Sequence, residues 1–126
     1  SVVLIYSPDK YDEVKEFYNK NKENIPGLFM MEGIKSILDS ASLIKYADYV
    51  ITPDTSIIHI ASAYNKPIIA VYPPNGGTYG VDHLVWGPTS EKQVVLFCKE
   101  AKNSTEKFDI NTFSFDEMKK AIGQIF

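Results

Sequence analysis

The stretch from Ala47 to Ala63 constrains this chain most, because it reads as a buried strand, a two-residue turn and a helix in immediate succession. Tyr49, Val50 and Ile51 are aromatic or β-branched and lie in a short apolar run, the pattern of a strand covered on both faces. Pro53 cannot donate a ladder hydrogen bond and suits the strand's end. Asp54 and Thr55 are both good N-caps, so the helix is expected to start at one of them. Ile57, Ile60, Ala61 and Tyr64 recur at helical spacing and are expected to face the sheet. Thr55, Ser56, His59, Ser62 and Ala63 cluster on another side, where small residues permit a close approach. A strand end running into a helix N-terminus offers unpaired N–H groups and a positive dipole end, and phosphates bind there readily. In open α/β sheets the ligand crevice also lies beyond the carboxyl ends of the strands. Thr55 could donate to a phosphate at that rim, and Asp54 could accept from sugar hydroxyls.

The rest of the chain repeats the alternation. Val2 to Tyr6 forms an apolar strand, and Ser7-Pro8-Asp9 opens a helix with Ser7 as cap and Pro8 at its first position. Tyr11, Val14, Phe17 and Tyr18 give that helix its stripe. Pro26-Gly27 marks a turn, and Leu28 to Met31 a second strand ended by Gly33. Ser36 with Asp39 resembles a capping box ahead of a helix that runs to about Tyr46. Asn65-Lys66-Pro67 stops the central helix, and Pro67 to Tyr72 is another buried strand. From Pro73 to about Gln93 the chain reads as irregular, with its strongest loop signal from Pro73 to Gly80. Some twenty residues of irregular chain are often functional, and this loop should overhang the crevice at Asp54. Trp86 is expected to pack the loop and His83 to face solvent. Val94 to Cys98 is a further strand, followed by a polar link from Lys99 to Asn111. Ser114 and Glu117 cap a last helix whose apolar face is Phe115, Met118, Ile122 and Ile125. About five strands alternating with four helices predict an α/β fold, a Rossmann-like parallel sheet with helices on both faces.

At 126 residues the chain is read as one domain over residues 1–126, large enough to bury a sizeable core. No apolar run approaches the ~20 residues of a membrane span. The start, at Ser1, lacks a secretory pattern and enters a strand at once, which suggests a processed or truncated fragment. Net charge is −3 and all 13 basic residues are Lys. Without arginine forks or a basic face, nucleic acid is not an expected partner. Any phosphate must be held by backbone N–H groups, hydroxyls or a Lys. The single Cys98 sits in an apolar run and reads as a buried thiol. No cluster of His, Cys and carboxylates has metal-ligand spacing, so no metal or cofactor is expected.

Ala47-Asp48, Asp54-Thr55, His59, Ala61, Ala63 and Lys66-Pro67, in that spacing, resemble the signature of glycosyltransferase family 9, the heptosyltransferase family. Ser36-Ile37 with Asp39 and Leu43-Ile44 resemble the preceding helix, and Val71-Tyr72, Pro74 and Trp86-Gly87-Pro88 the strand and loop that follow. The resemblance spans roughly residues 1–98. It implies the donor-binding C-terminal half of a GT-B enzyme, acting in lipopolysaccharide, lipooligosaccharide or surface glycan synthesis at the cytoplasmic side of the membrane. The donor is then a nucleotide diphosphate sugar resembling ADP-heptose. The acceptor is lipid-linked or a glycan and is bound by an N-terminal domain that this chain lacks, together with the catalytic residue and the donor domain's first strand. The isolated chain is therefore expected to be inactive and at most peripheral to a membrane.

Carried over by position, Asp54 holds donor-sugar hydroxyls, Thr55 and Ser56 meet the diphosphate, and His59 matches the family's histidine. Asp9 sits at an acidic ribose contact, and residues around Gly33 to Ile37, Lys35 among them, line the base pocket. Ser56 departs from the glycine usual in the family; its hydroxymethyl group narrows the approach to the diphosphate and adds a hydroxyl. The residues alone leave other readings open. Asp54-Thr55 could be only a cap, worth about 1 kcal/mol, His59 a satisfied core histidine, and Asp9 a second cap. The whole could equally be a free-standing nucleotide- or sugar-binding module without catalysis, or a structural domain.

Overall fold

The computed structural model describes residues 1–74, 82–99 and 109–125. The glycine-rich part of the expected loop, 75–81, and most of the polar link, 100–108, lie outside them. The chain divides into two compact units, Ser1–Leu43 and Ile44–Phe126.

In the first unit, β1 (Val2–Leu4) pairs in parallel with β2 (Leu28–Met30), with Val2 opposite Leu28 and Leu4 opposite Met30. Gly27 brings the chain into β2 at φ +83°, a conformation that a side chain would resist. Between the strands lie a 3-10 turn, Pro8–Lys10, and α1 (Tyr11–Asn21). Pro8 takes the expected first position, but Ser7 makes no side-chain cap to the backbone. Its hydroxyl instead serves the Asp9 carboxylate. The expected stripe of α1 is only half-buried, and Phe17 is exposed. The capping box that opens α2 (Ile37–Tyr46) is present in modified form. Asp39 Oδ2 accepts from the backbone N–H groups of Lys35 and Ser36, both at 2.9 Å, and from the Ser36 hydroxyl at 3.1 Å.

The second unit is built on a parallel sheet in the order β3-β4-β5, formed by Val50–Pro53, Ile68–Tyr72 and Gln93–Phe97. Val50 sits opposite Ile68, and Ile68 opposite Gln93. All five residues of β4 are buried, as befits a central strand covered on both faces. α3 (Ser56–Ala63) packs on β3 and β4, and α5 (Phe115–Ile125) on β4 and β5. Ile69, Val71, Leu96 and Cys98 meet Met118, Ala121 and Ile125 in one apolar cluster. Because side chains alternate along a strand, Ile68, Ala70 and Tyr72 point to the opposite face, where α3 lies. The expected α3 stripe holds in part: Ala61 is fully buried and Ile57 and Ile60 half-buried, while Ile58, outside the expected stripe, is fully buried and Tyr64, just past the helix end, is exposed. Asn65 follows in the left-handed region at φ 50°, which Asn tolerates better than most residues.

Two further expectations need correction. The stretch 73–93 is not irregular throughout: Asp82–Trp86 form a short helix, α4. The polar link also gains local order at its end. Asp109 caps a 3-10 turn, Ile110–Thr112, by accepting from the Asn111 amide. Cys98 is buried as expected, its thiol donating to the Ile110 carbonyl at 3.3 Å. Burial, with Asp109 adding to it, pushes the thiol pKa up. No helix among the described residues is long and apolar enough to cross a membrane.

Candidate functional site

The site grows from the turn between β3 and α3. The Asp54 amide still donates to the Val71 carbonyl at 3.0 Å, so Asp54 is held at the strand's carboxyl end. Thr55 is the helix cap, in extended conformation, with its hydroxyl accepting from the Ile57 amide at 3.4 Å. Beneath it the buried Thr52 hydroxyl lies 3.1 Å from the Pro53 carbonyl and 3.1 Å from the Thr55 hydroxyl. A hydroxyl carries one hydrogen. With the Thr52 hydrogen on the Pro53 carbonyl, the Thr55 hydrogen goes to Thr52. Thr55 then fixes the turn, and the groups left to meet a ligand are the Ser56 amide and hydroxyl. That amide, first in the helix, has no carbonyl one turn back to bind. Asp54, Thr55, Ser56 and His59 are all exposed, whereas Ile58 and Ala61 anchor the helix below. His59 is thus not a core histidine.

A second wall comes from α4, which sequence patterning left inside a loop. The Tyr72 hydroxyl, at the end of β4, donates to the Trp86 carbonyl at 3.0 Å. The His83 ring packs edge-on against Phe97, with centroids 4.8 Å apart, and against Tyr72 at 6.2 Å. Gly87 closes the helix so tightly that a Cβ there would stand 2.2 Å from the His83 carbonyl oxygen, which accounts for glycine after Trp86. The following segment is tied to α3, since Thr89 N–H donates to the Ser62 hydroxyl and Glu91 N–H to the Asn65 side chain. The two aromatic expectations are therefore reversed. His83 is the packed ring, and Trp86 is 59% exposed, its indole meeting the His59 ring edge-on at 6.3 Å.

These residues share one electrostatic environment. Loss of water around the Asp54 carboxylate raises its pKa, the Asp82 carboxylate raises it further, and His59 opposes them. Burial pushes the Tyr72 hydroxyl up to about 12, with Asp54 adding to the effect. His59, Tyr72 and Asp82 therefore each lie within electrostatic reach of Asp54, at the carboxyl end of β3. Asp82 was not singled out, and Trp86 was read only as packing of a loop, because one short helical turn beside a Gly-Pro pair carries no periodic signal. Among the described residues no group of three or more His, Cys, Asp or Glu could hold a metal.

The remaining two candidates lie in the first unit. Asp9 is exposed in the 3-10 turn, its pKa lowered by the Ser7 hydroxyl. Lys35 is exposed at the approach to α2, where its backbone N–H helps hold Asp39.

This geometry coincides with a match to a known family. Residues 1–114 fit the sequence profile of glycosyltransferase family 9 (heptosyltransferase). The chain belongs to that family. A curated relative from Escherichia coli (strain K12), named "Putative lipopolysaccharide heptosyltransferase 4", is 42% identical over 57 residues, which cover 45% of this chain and 16% of the relative. No solved structure matches the chain. Family 9 membership agrees with the parallel α/β architecture, and the profile takes in both units.

Proposed function

We propose that this chain is the donor-binding part of a family 9 glycosyltransferase with the GT-B arrangement, and that it holds a nucleotide diphosphate sugar at the β3–α3 turn. The observation that carries the reading is the capped N-terminus of α3 at a strand's carboxyl end, with an exposed carboxylate and imidazole beside it, in a family of sugar-transferring enzymes. The diphosphate takes the helix end, where the Ser56 amide and hydroxyl offer donors and the dipole is positive. Asp54 accepts from sugar hydroxyls, and His59 lies one helical turn further along. Asp9 and Lys35 are the proposed ribose and base contacts. Stabilising the departing nucleoside diphosphate is the chemistry this turn can contribute, by preorganised donors rather than by an acid or base of its own.

The whole protein, in this reading, carries a further domain for a lipid-linked or glycan acceptor and acts on lipopolysaccharide or a related surface glycan at the cytoplasmic side of a membrane. β3 is an edge strand of its sheet among the described residues. The amides of Val50 and Asp54 serve β4, so the alternating Ile51 N–H points away from it, and in this reading a further strand of the donor domain pairs there.

The test is an amide NMR titration of the chain with ADP, UDP and GDP and their sugar conjugates, with Asp54→Ala alongside. Saturable shifts at Ser56, Ile57 and His59 with one base series are expected, weakened for the sugar conjugate in the variant. A folded spectrum indifferent to all of them would refute donor binding by this chain. No turnover is expected from the chain alone.

A further inference from the structure

We propose that Trp86 is a sugar-contacting residue of this site, its indole covering one face of the donor's sugar ring while the Asp54 and Asp82 carboxylates accept hydrogen bonds from the ring's hydroxyls. The proposal rests on the donor-site reading above and assigns the part of the ligand which α4 reads.

Three observations converge on it. First, the backbone of Trp86 is held from several sides. Its carbonyl is bound by the buried Tyr72 hydroxyl at 3.0 Å, His83 one turn earlier is wedged between Tyr72 and Phe97, and Gly87 allows the chain to close within contact of the His83 carbonyl. Such a fixed backbone holds the indole in place while leaving it 59% exposed, so most of the ring is open to a ligand. Second, the indole lies against the His59 ring at 6.3 Å and 81°. The last residue of α4 thereby reaches α3, the helix whose N-terminus is the anion end of the proposed site. Third, charge divides the site in two. The α3 terminus attracts a diphosphate, whereas the neighbouring carboxylates of Asp54 and Asp82 repel one. The group that suits carboxylates beside an aromatic face is a neutral polyol. Its hydroxyls donate to carboxylate oxygens, and its C–H face meets the electron-rich face of the ring.

Trp86 is the sole tryptophan of the chain, so its fluorescence reports on this residue alone. The chain is titrated with ADP-glucose, UDP-glucose and GDP-mannose and with the matching diphosphates, while amide shifts at Ser56 and Ile57 report binding independently. A nucleotide sugar is expected to change Trp86 emission over the same concentrations that shift the amides, and its free diphosphate to shift the amides with little change in emission. Trp86→Ala should weaken nucleotide-sugar binding by about three- to tenfold, the range of an aromatic contact, and leave diphosphate binding within about twofold. Trp86→Phe should restore most of the difference, and Asp82→Asn should weaken the sugar conjugate alone. Equal emission changes with sugar conjugate and bare diphosphate would mean that the base stacks here, and would overturn the proposal. So would undiminished nucleotide-sugar affinity in Trp86→Ala. Both outcomes leave the donor site standing. Amides that ignore every probe would overturn the donor reading and this proposal with it.

Discussion

Replacing Tyr72 with Phe separates the support of α4 from the rest of the fold. The Tyr72 ring is 1% exposed, and Phe fills the same space, so no cavity opens. What is lost is the hydrogen bond to the Trp86 carbonyl at 3.0 Å. Such a bond contributes about 0.5–1.5 kcal/mol net. The carbonyl sits at the exposed end of α4 and can regain water, which places the cost near the lower half of that range. The second effect depends on pH. The Tyr72 hydroxyl titrates at about 12 in the folded protein against an ordinary 10.0. Between those values the unfolded chain gives up the proton and the native protein keeps it. Unfolding then releases a proton, and stability falls as pH rises. At about 1.4 kcal/mol per pKa unit, the ceiling on that loss is about 2.7 kcal/mol.

Wild type should therefore exceed Tyr72→Phe by about 0.5–1 kcal/mol at neutral pH. The two curves should cross between about pH 10 and 11, with the variant the more stable above. Urea unfolding followed by circular dichroism at a series of pH values measures the difference, and contributions common to both chains, such as that of Tyr6, cancel. Trp86 emission should shift in the variant at neutral pH, because its helix loses an anchor. A stability difference constant from neutral pH to above pH 11 would refute the reasoning. Equal stability with unchanged emission at neutral pH would show that this bond does not hold α4.

Ile58→Ala removes a fully buried side chain under α3 and should cost about 2–5 kcal/mol, a large share of the ~5–15 kcal/mol of a typical domain; denaturant midpoints test it. Thr55→Ala should cost about 1 kcal/mol through the lost cap and weaken diphosphate binding by freeing the turn, with Thr55→Ser restoring both by calorimetry. Asp54→Asn should bind nucleotide sugars poorly and yet match wild-type stability within about 0.5 kcal/mol. Because the folded protein holds the Asp54 proton more tightly than the unfolded chain does, the variant should gain on wild type as pH rises past the ordinary carboxylate range. The Cys98 thiol, buried and raised in pKa, should alkylate far more slowly in the native protein than in denaturant at pH 8, since only the thiolate reacts. A native rate equal to that of an unfolded chain would contradict its burial.

The strand–turn–helix core was legible because its signals are local. Val50, Pro53 and Thr55 each favour the conformation they adopt, and the cap depends on residues within three positions of one another. The capping pairs at Ser36–Asp39 and Ser114–Glu117 were legible for the same reason, though Asp39 takes more donors than the motif requires. What escaped was tertiary in origin. Periodicity gave α3 its amphipathic side but not its rotation, which is set by how Ile58 and Ala61 fit against β3 and β4. The roles of His83 and Trp86 came out exchanged because residue type favours burying the larger ring. In the fold, Phe97 and Tyr72, distant in sequence, capture the imidazole and leave the indole outside.

If the site holds a donor as proposed, its two walls differ in what they distinguish. With no arginine in the chain, the diphosphate meets the backbone N–H groups and the Ser56 hydroxyl at the start of α3, donors that are the same for any diphosphate. Such contacts cannot tell one nucleotide sugar from another. Discrimination then falls to side chains around the turn, and in this unit those near it are Asp54, His59, Asp82 and Trp86. Two of the four ride on α4, a five-residue helix held by one tyrosine hydroxyl, one wedged imidazole and a glycine that permits closure. Substitutions under α3 should therefore impair every donor alike. Substitutions in α4 should change which sugar is preferred while the bare diphosphate binds as before, so the ratio of the two affinities, rather than either alone, identifies the wall that a given residue serves.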